Sequence, residues 1–156
     1  MKKLIALIAF TVFTTIAVNA QDQENPKKIF IILLSTKNYA EAKKFATKAS
    51  ETLELTLDLR NLYPNSKIGL SYHKEQCKIM NTTYPYVTPR GFYSNEDFVS
   101  VEYSSQYKGF AKGYYIVVAS VYTDKDIANE AMIKIKENYK TAYTKNTIVK
   151  TGDYTK

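Results

Sequence analysis

The chain of 156 residues carries one cysteine, one histidine and no tryptophan. With Cys77 alone no internal disulfide can form, so an apolar core must hold the fold. One histidine also removes the usual multi-imidazole metal sites. His73, Glu75 and Cys77 form the one cluster with metal-like side chains, and scattered ligands of this kind do not define a closed site. A Cys–His nucleophile pair would need an orienting partner that nothing in the sequence supplies. No metal and no cofactor is expected. Acidic residues offer one candidate constellation for glycoside hydrolysis, Glu96 or Asp97 paired with Glu102. Carboxylates near strand ends are commonplace as solvated or ion-paired groups, so no catalytic residue is assigned and a cell-wall hydrolase ranks last among the functions considered.

Long apolar runs are missing after the first twenty residues. Lys2 and Lys3 open the chain, Leu4 to Val18 is almost uninterruptedly apolar, and Val18-Asn19-Ala20 offers small residues at cleavage spacing. This three-part form predicts a secretory signal peptide over residues 1–20. Its apolar core is short for a membrane span, and no cysteine near the cut would take a lipid. The mature chain is therefore expected to be exported, periplasmic or secreted, with no membrane insertion after cleavage. Its formal charge falls from +7 to +5 as Lys2 and Lys3 leave. An excess so diffuse favours approach to acidic surfaces and argues against nucleic acid as a partner.

What the sequence has in quantity is tyrosine, fourteen of them. Tyr114 to Tyr122 is an uncharged stretch of aromatic and β-branched residues that predicts a strand. Thr123 and Asp124 can cap a helix, and Asp126 suits its first turn. Ala128, Ala131, Met132, Ile135, Tyr139 and Ala142 follow at helical spacing. Ile29 to Leu34 predicts a second central strand, and Tyr39, Ala42, Phe45, Ala46, Ala49 and Leu53 predict a helix after it. The two units echo one another: Tyr39, Ala42, Ala46 and Leu53 align with Ala128, Ala131, Ile135 and Ala142 at a constant offset of 89. A duplication and a shared strand–helix pattern both account for that.

Leu55, Leu57 and Leu59 alternate with polar residues as in a half-exposed strand. Tyr63-Pro64-Asn65-Ser66 reads as a turn, Ile68 to Tyr72 as a short strand or extended loop, and Glu75 to Met80 as a helical turn. Phe98 to Ser104 alternates with Val99, Val101 and Tyr103 on one face. Lys108 to Gly113 can turn the chain so that this strand pairs antiparallel with the one near Val117. A last strand centres on Thr147-Ile148-Val149. The order predicts an α+β fold, the ferredoxin-like split βαβ arrangement. Its antiparallel or mixed sheet carries two helices on one face and an irregular middle insertion. The domain runs over 29–150, with a polar leader at 21–28, an aromatic-rich middle at 61–97 and a frayed tail at 151–156.

Gly113-Tyr114-Tyr115-Ile116-Val117-Val118-Ala119-Ser120, with Ala128, Glu130 and Ala131 on the helix that follows, resembles the SPOR domain, the sporulation-related repeat. The likeness covers about Gly113 to Lys150, and a fainter one about Lys28 to Leu59. It implies a ferredoxin-like fold in the bacterial envelope and binding of peptide-stripped peptidoglycan strands on the exposed sheet surface. Candidate ligand-binding residues are Tyr103, Tyr107, Phe110 and Tyr115, whose rings could stack on sugars, with Arg90, Lys108 and Lys112 to meet acidic groups. The expected function is a non-enzymatic binding module for cell-wall glycan. The alternative is a module that docks or inhibits another envelope protein through the middle segment.

Overall fold

The computed structural model describes residues 27–91 and 96–149. The expected signal peptide, most of the expected polar leader, the C-terminal tail expected at 151–156, and Phe92 and Tyr93 of the aromatic middle lie outside them. Four strands form one antiparallel sheet: β1 (Lys27–Thr36), β4 (Glu96–Tyr103), β5 (Tyr115–Tyr122) and β6 (Tyr143–Ile148), in the order β4-β5-β1-β6. The two uncharged runs, in β1 and β5, take the central places, where both faces are covered. Both bulge where they pair: Ala119 is extra between the Ile31–Ser120 and Ile32–Val118 pairs, and Leu33 between the next two.

Helices α1 (Tyr39–Leu53) and α3 (Lys125–Asn138) lie on one face of the sheet. Each begins at a side-chain cap. The Asn38 side chain accepts from the Glu41 N–H, and Asp124 accepts from the N–H groups of Asp126 and Ile127. Ala42, Ala46, Ala49 and Ala128 bring the helix backbones close to Ile31, Leu33, Val99, Val101, Val117 and Ala119. Small residues on the helices against branched residues on the strands make a dense layer with few side chains to order. Ala142 of the aligned pattern lies just past the end of α3 and is buried in the same layer.

Between α1 and β4 the chain makes a long excursion. It contains a hairpin of β2 (Tyr63–Asn65) and β3 (Gly69–Ser71) and the short helix α2 (Lys74–Ile79). The expected Tyr63–Ser66 turn is thus the first strand of a hairpin: the Asn65 side chain accepts from the Lys67 and Ile68 N–H groups, which moves the turn two residues on. The expected strand over Leu55–Leu59 contracts to a single parallel bridge, Leu57 to Val99. Positive φ at Glu54, Arg60 and Asn61 brackets the segment and stops the pairing from propagating.

Candidate functional site

The excursion straddles the β4 edge of the sheet and touches both faces. On the helix side the β2–β3 hairpin is laid on Tyr103. A Cβ at Gly69 would stand 2.1 Å from the Tyr103 ring, and the φ of +82° there also requires glycine. The Tyr115 hydroxyl donates to the Gly69 carbonyl at 3.3 Å, and its ring packs edge-on against Tyr39 and tilted against Tyr103. Tyr103 and Tyr115 therefore seat the protein's own hairpin.

On the opposite face the chain returns through Arg90 and Gly91. Register slips between Asp97 and Ser100, and the carbonyls of Phe98 and Val118 take the Arg90 guanidinium as their donor. All five guanidinium N–H groups are used. Nε donates to Glu96 Oε2 (3.2 Å), Nη1 to Ser100 Oγ and the Val118 carbonyl (both 2.9 Å), and Nη2 to the carbonyls of Glu96 (3.0 Å) and Phe98 (2.7 Å). The planar fork also stacks on the Phe98 ring, 3.8 Å from its centroid. Arg90 is only 1 % exposed, and burial lowers its pKa against the opposing pull of Glu102 and Glu96; a guanidinium stays charged even so.

Beside it lies a fully buried carboxylate. Glu102 Oε2 accepts from Arg60 Nη1 (2.8 Å) and the Tyr107 hydroxyl (3.0 Å), and Oε1 from Ser100 Oγ (2.8 Å). Tyr107 in turn accepts from the Arg90 N–H at 2.9 Å. Burial acts against the Arg60 charge, but Glu102 together with the Tyr107 and Tyr72 phenols more than offsets it and raises its pKa above the ordinary value. Burial, reinforced by Glu102, pushes the Tyr107 phenol well up. Arg60 also donates to the Thr88 carbonyl, so one side chain ties the entry of the excursion to its exit. Over this network Tyr107 and Phe110 close on Phe30, and Gly91 rests where a Cβ would come within 3.2–3.3 Å of Val149, Phe30 and Val121.

The candidate ligand-binding residues thus fall into three groups. Arg90, Tyr107 and Phe110 meet on the face away from the helices, the first two buried and the third half-buried. Tyr103 and Tyr115 meet on the helix side, half-buried. Lys108 and Lys112 are exposed on the β4–β5 connection, where the Lys108 carbonyl accepts from Thr147. Of the carboxylates considered for hydrolysis, Glu96 and Glu102 are ion-paired with Arg90 and Arg60, and Asp97 accepts from the Tyr122 hydroxyl. The His73 ring packs tilted against Tyr63, centroids 3.7 Å apart, while Cys77 is buried. Among the described residues no group of three or more such side chains could hold a metal.

The accessible concavity nearest this network is a cleft of about 500 Å³ between the excursion and the β4 edge. Tyr72, Gln76 and Met80 form one wall, Phe98 and Glu96 another, and Asp58, Arg60 and Asn61 its polar side. Outside it, Tyr63 and Tyr84 present rings that are 45 % and 41 % exposed. Sequence reasoning missed Arg60 and Ser100. The available signal was the alternation of β4 itself: with Val99, Val101 and Tyr103 on one face, Ser100 and Glu102 must point to the other and need partners there.

The fold and this junction define an α+β domain whose helix-backed antiparallel sheet is clasped at one edge by a tyrosine-rich excursion. Compared with family models, curated proteins and solved structures, the chain matches none. No helix among the described residues is long and apolar enough to cross a membrane.

Proposed function

We propose that the mature chain is an exported, non-enzymatic binding module of a bacterial envelope that takes cell-wall polysaccharide on its tyrosine-rich excursion. The observation that carries this reading is the division of the aromatic residues. The rings near the sheet are packed under the chain's own segments, whereas Tyr72 lines the cleft and Tyr63 and Tyr84 stand exposed elsewhere on the excursion. The Tyr72 ring in one cleft with Asn61, Gln76 and Asp58 suits a polyhydroxylated ligand, which stacks its apolar ring face and hydrogen-bonds at its edges. The basic, apolar and small-residue pattern of residues 1–20, read as an export signal, supports the address. The strand order β4-β5-β1-β6, with α1 and α3 as the two crossovers, supports a ferredoxin-like split βαβ arrangement interrupted by the excursion, and with it the SPOR resemblance of Gly113 to Lys150.

The test is co-sedimentation of the mature chain with purified peptidoglycan. Binding that is lost in Tyr63→Ala, Tyr72→Ala and Tyr84→Ala together, and kept in Lys108→Ala with Lys112→Ala, is the expected result. No co-sedimentation of the parent chain removes the reading. A second reading, docking of another exported protein, draws on Ile79 and Met80, exposed at the end of α2. In that case a specific partner from envelope extract is retained by the parent chain and lost with Ile79→Glu, while glycan is not bound.

A further inference from the structure

The two edges of the sheet are treated differently. β4 is bulged where it pairs with β5, and its outer side is bridged by Leu57 and hydrogen-bonded by the segment around Thr56 and Asp58. β6 pairs with β1 without a register shift from Ile32–Tyr143 to Lys27–Ile148, and among the described residues no strand pairs with its other side. A regular strand with a row of unpaired backbone groups is a template for another strand. β6 contains neither proline nor a bulge, and Lys145 is its one charge.

Apolar surface gathers along this edge. Ile148 is 51 % exposed and lies on the helix side, in line with Thr144 and Asn146, because their partners Lys27, Ile29 and Ile31 alternate that way. A groove of about 290 Å³ separates Thr144 and Asn146 from Lys125 and Asn129 of α3. One turn beyond Asn129 on the same helix face stands Ile133, 68 % exposed. Tyr143 is exposed at the other end of the strand.

We propose that β6 pairs antiparallel with β6 of a second copy, joining two sheets into one of eight strands. A two-fold axis normal to the sheet keeps the helix sides together, so residues on the same face must meet. Only registers centred on a residue satisfy this. Centring on Lys145 would set two lysines face to face, which is destabilising. Centring on Asn146 sets Asn146 against Asn146, Lys145 against Thr147 and Thr144 against Ile148, and brings Ile133 of the two α3 helices over the joint. The alternative strand from the chain's own N-terminal side, Gln21 to Pro26, is polar and ends in proline, a poor edge strand.

Sedimentation velocity over a concentration series, with the mature chain, gives a monomer–dimer equilibrium. Ile133→Lys with Ile148→Lys, both at exposed positions, weakens it at least tenfold, with no change in the thermal midpoint measured at concentrations where both chains are monomeric. Register is read by cysteine pairing under mild oxidation. Residues directly opposite in such a joint have Cα atoms about 4.5–5.5 Å apart, within disulfide reach. Asn146→Cys therefore cross-links to a dimer, while Lys145→Cys, facing Thr147, does so far more slowly. A monomer at every concentration up to millimolar overturns the proposal. So does a dimer that the isoleucine variants leave intact, or one in which Lys145→Cys cross-links faster than Asn146→Cys.

Discussion

The two faces of the central sheet are closed by opposite chemistry. Toward α1 and α3 the buried closure is mostly alanine and branched aliphatic side chains, and its few side-chain polar contacts, such as Tyr122 to Asp97, come from tyrosine hydroxyls rather than ion pairs. On the other face the same strands carry Phe30, Ile32, Ile116 and Val118 beside Ser100 and Glu102, and the closure includes a buried arginine, a second arginine at its rim and a phenol. The first face is specified by volume and period, which many sequences satisfy. The second is specified by donors and acceptors that must match one for one, because an unmatched buried ion or carbonyl costs more than a matched one contributes. The apolar layer should tolerate small changes, and the polar one should not.

The largest effect is expected at Arg90. Arg90→Met keeps the apolar stem but withdraws five N–H groups, leaving the Phe98 and Val118 carbonyls and the Glu96 carboxylate without that donor. A loss of about 3–5 kcal/mol is expected in urea unfolding, the range for breaking one side of a buried ion pair. Arg90→Lys should recover only a small part, since a point charge cannot serve the β4 bulge and Glu96 together. A loss below that of a typical surface change would show that this face is closed by its rings alone. Next is Gly91→Ala, set against Gly109→Ala. Both positions have positive φ, +87° and +84°, so both carry backbone strain of about 1–3 kcal/mol. Only Gly91 also has Phe30, Val121 and Val149 within 3.2–3.3 Å of the new methyl, whereas nothing lies within 4 Å at Gly109. Gly91→Ala should therefore be the more destabilising of the two, and equal midpoints would show that the face yields to the methyl. On the helix side, Ile31→Val should cost about 0.5–1.5 kcal/mol, the ordinary cost of one buried methylene.

This contrast also explains what was legible in the sequence. Ile29–Leu34, Tyr114–Tyr122 and the helices after them announced themselves through continuous hydrophobicity and period; the structure keeps Tyr39–Leu53 as it stands, lengthens the first strand by two residues at each end, trims the second by one, and ends the second helix at Asn138, before Ala142. The β4–β5 antiparallel pairing followed from a glycine-containing connection between two strand patterns. The excursion resisted reading because its order comes from distant partners: Gly69 against Tyr103, Arg60 against Glu102 and Thr88, Arg90 against Phe98 and Val118. An arginine among tyrosines has one local signature whether it awaits an acidic ligand or plugs a bulge. Only the register slip in β4, invisible in composition, distinguishes them. The cleft depends on Arg60, which sits at positive φ in a segment whose leucine alternation suggested a longer strand.

The smallest effect at neutral pH, and the one that samples both faces in a single experiment, is tyrosine ionisation. On the helix side, Tyr122 donates to Asp97, and burial together with that hydrogen bond pushes its pKa from 10 up to about 12. On the other side, burial and Glu102 raise the Tyr107 phenol well above its ordinary value. The sign follows from the proton inventory. Below pH 10 the phenols are protonated in folded and unfolded chains alike, and their stabilising contribution is complete. As pH rises from about 10 toward 12 the unfolded chain releases these protons first, so stability falls with pH through that window. With no tryptophan in the chain, the tyrosinate absorbance band reports the titration without overlap. The native protein should show a group of tyrosines that ionise late, only as the fold is lost, whereas the denatured chain titrates in one step near the ordinary value. Tyr122→Phe should leave stability at neutral pH nearly unchanged and flatten part of the alkaline slope. Tyr107→Phe should flatten a further part, at the cost of the hydrogen bond to Glu102, and Tyr39 and Tyr115, which burial also raises, contribute the rest. A single native titration step near pH 10 would mean that neither phenol is held as its burial requires, and that the two faces do not differ in the way the Arg90–Glu102 network implies.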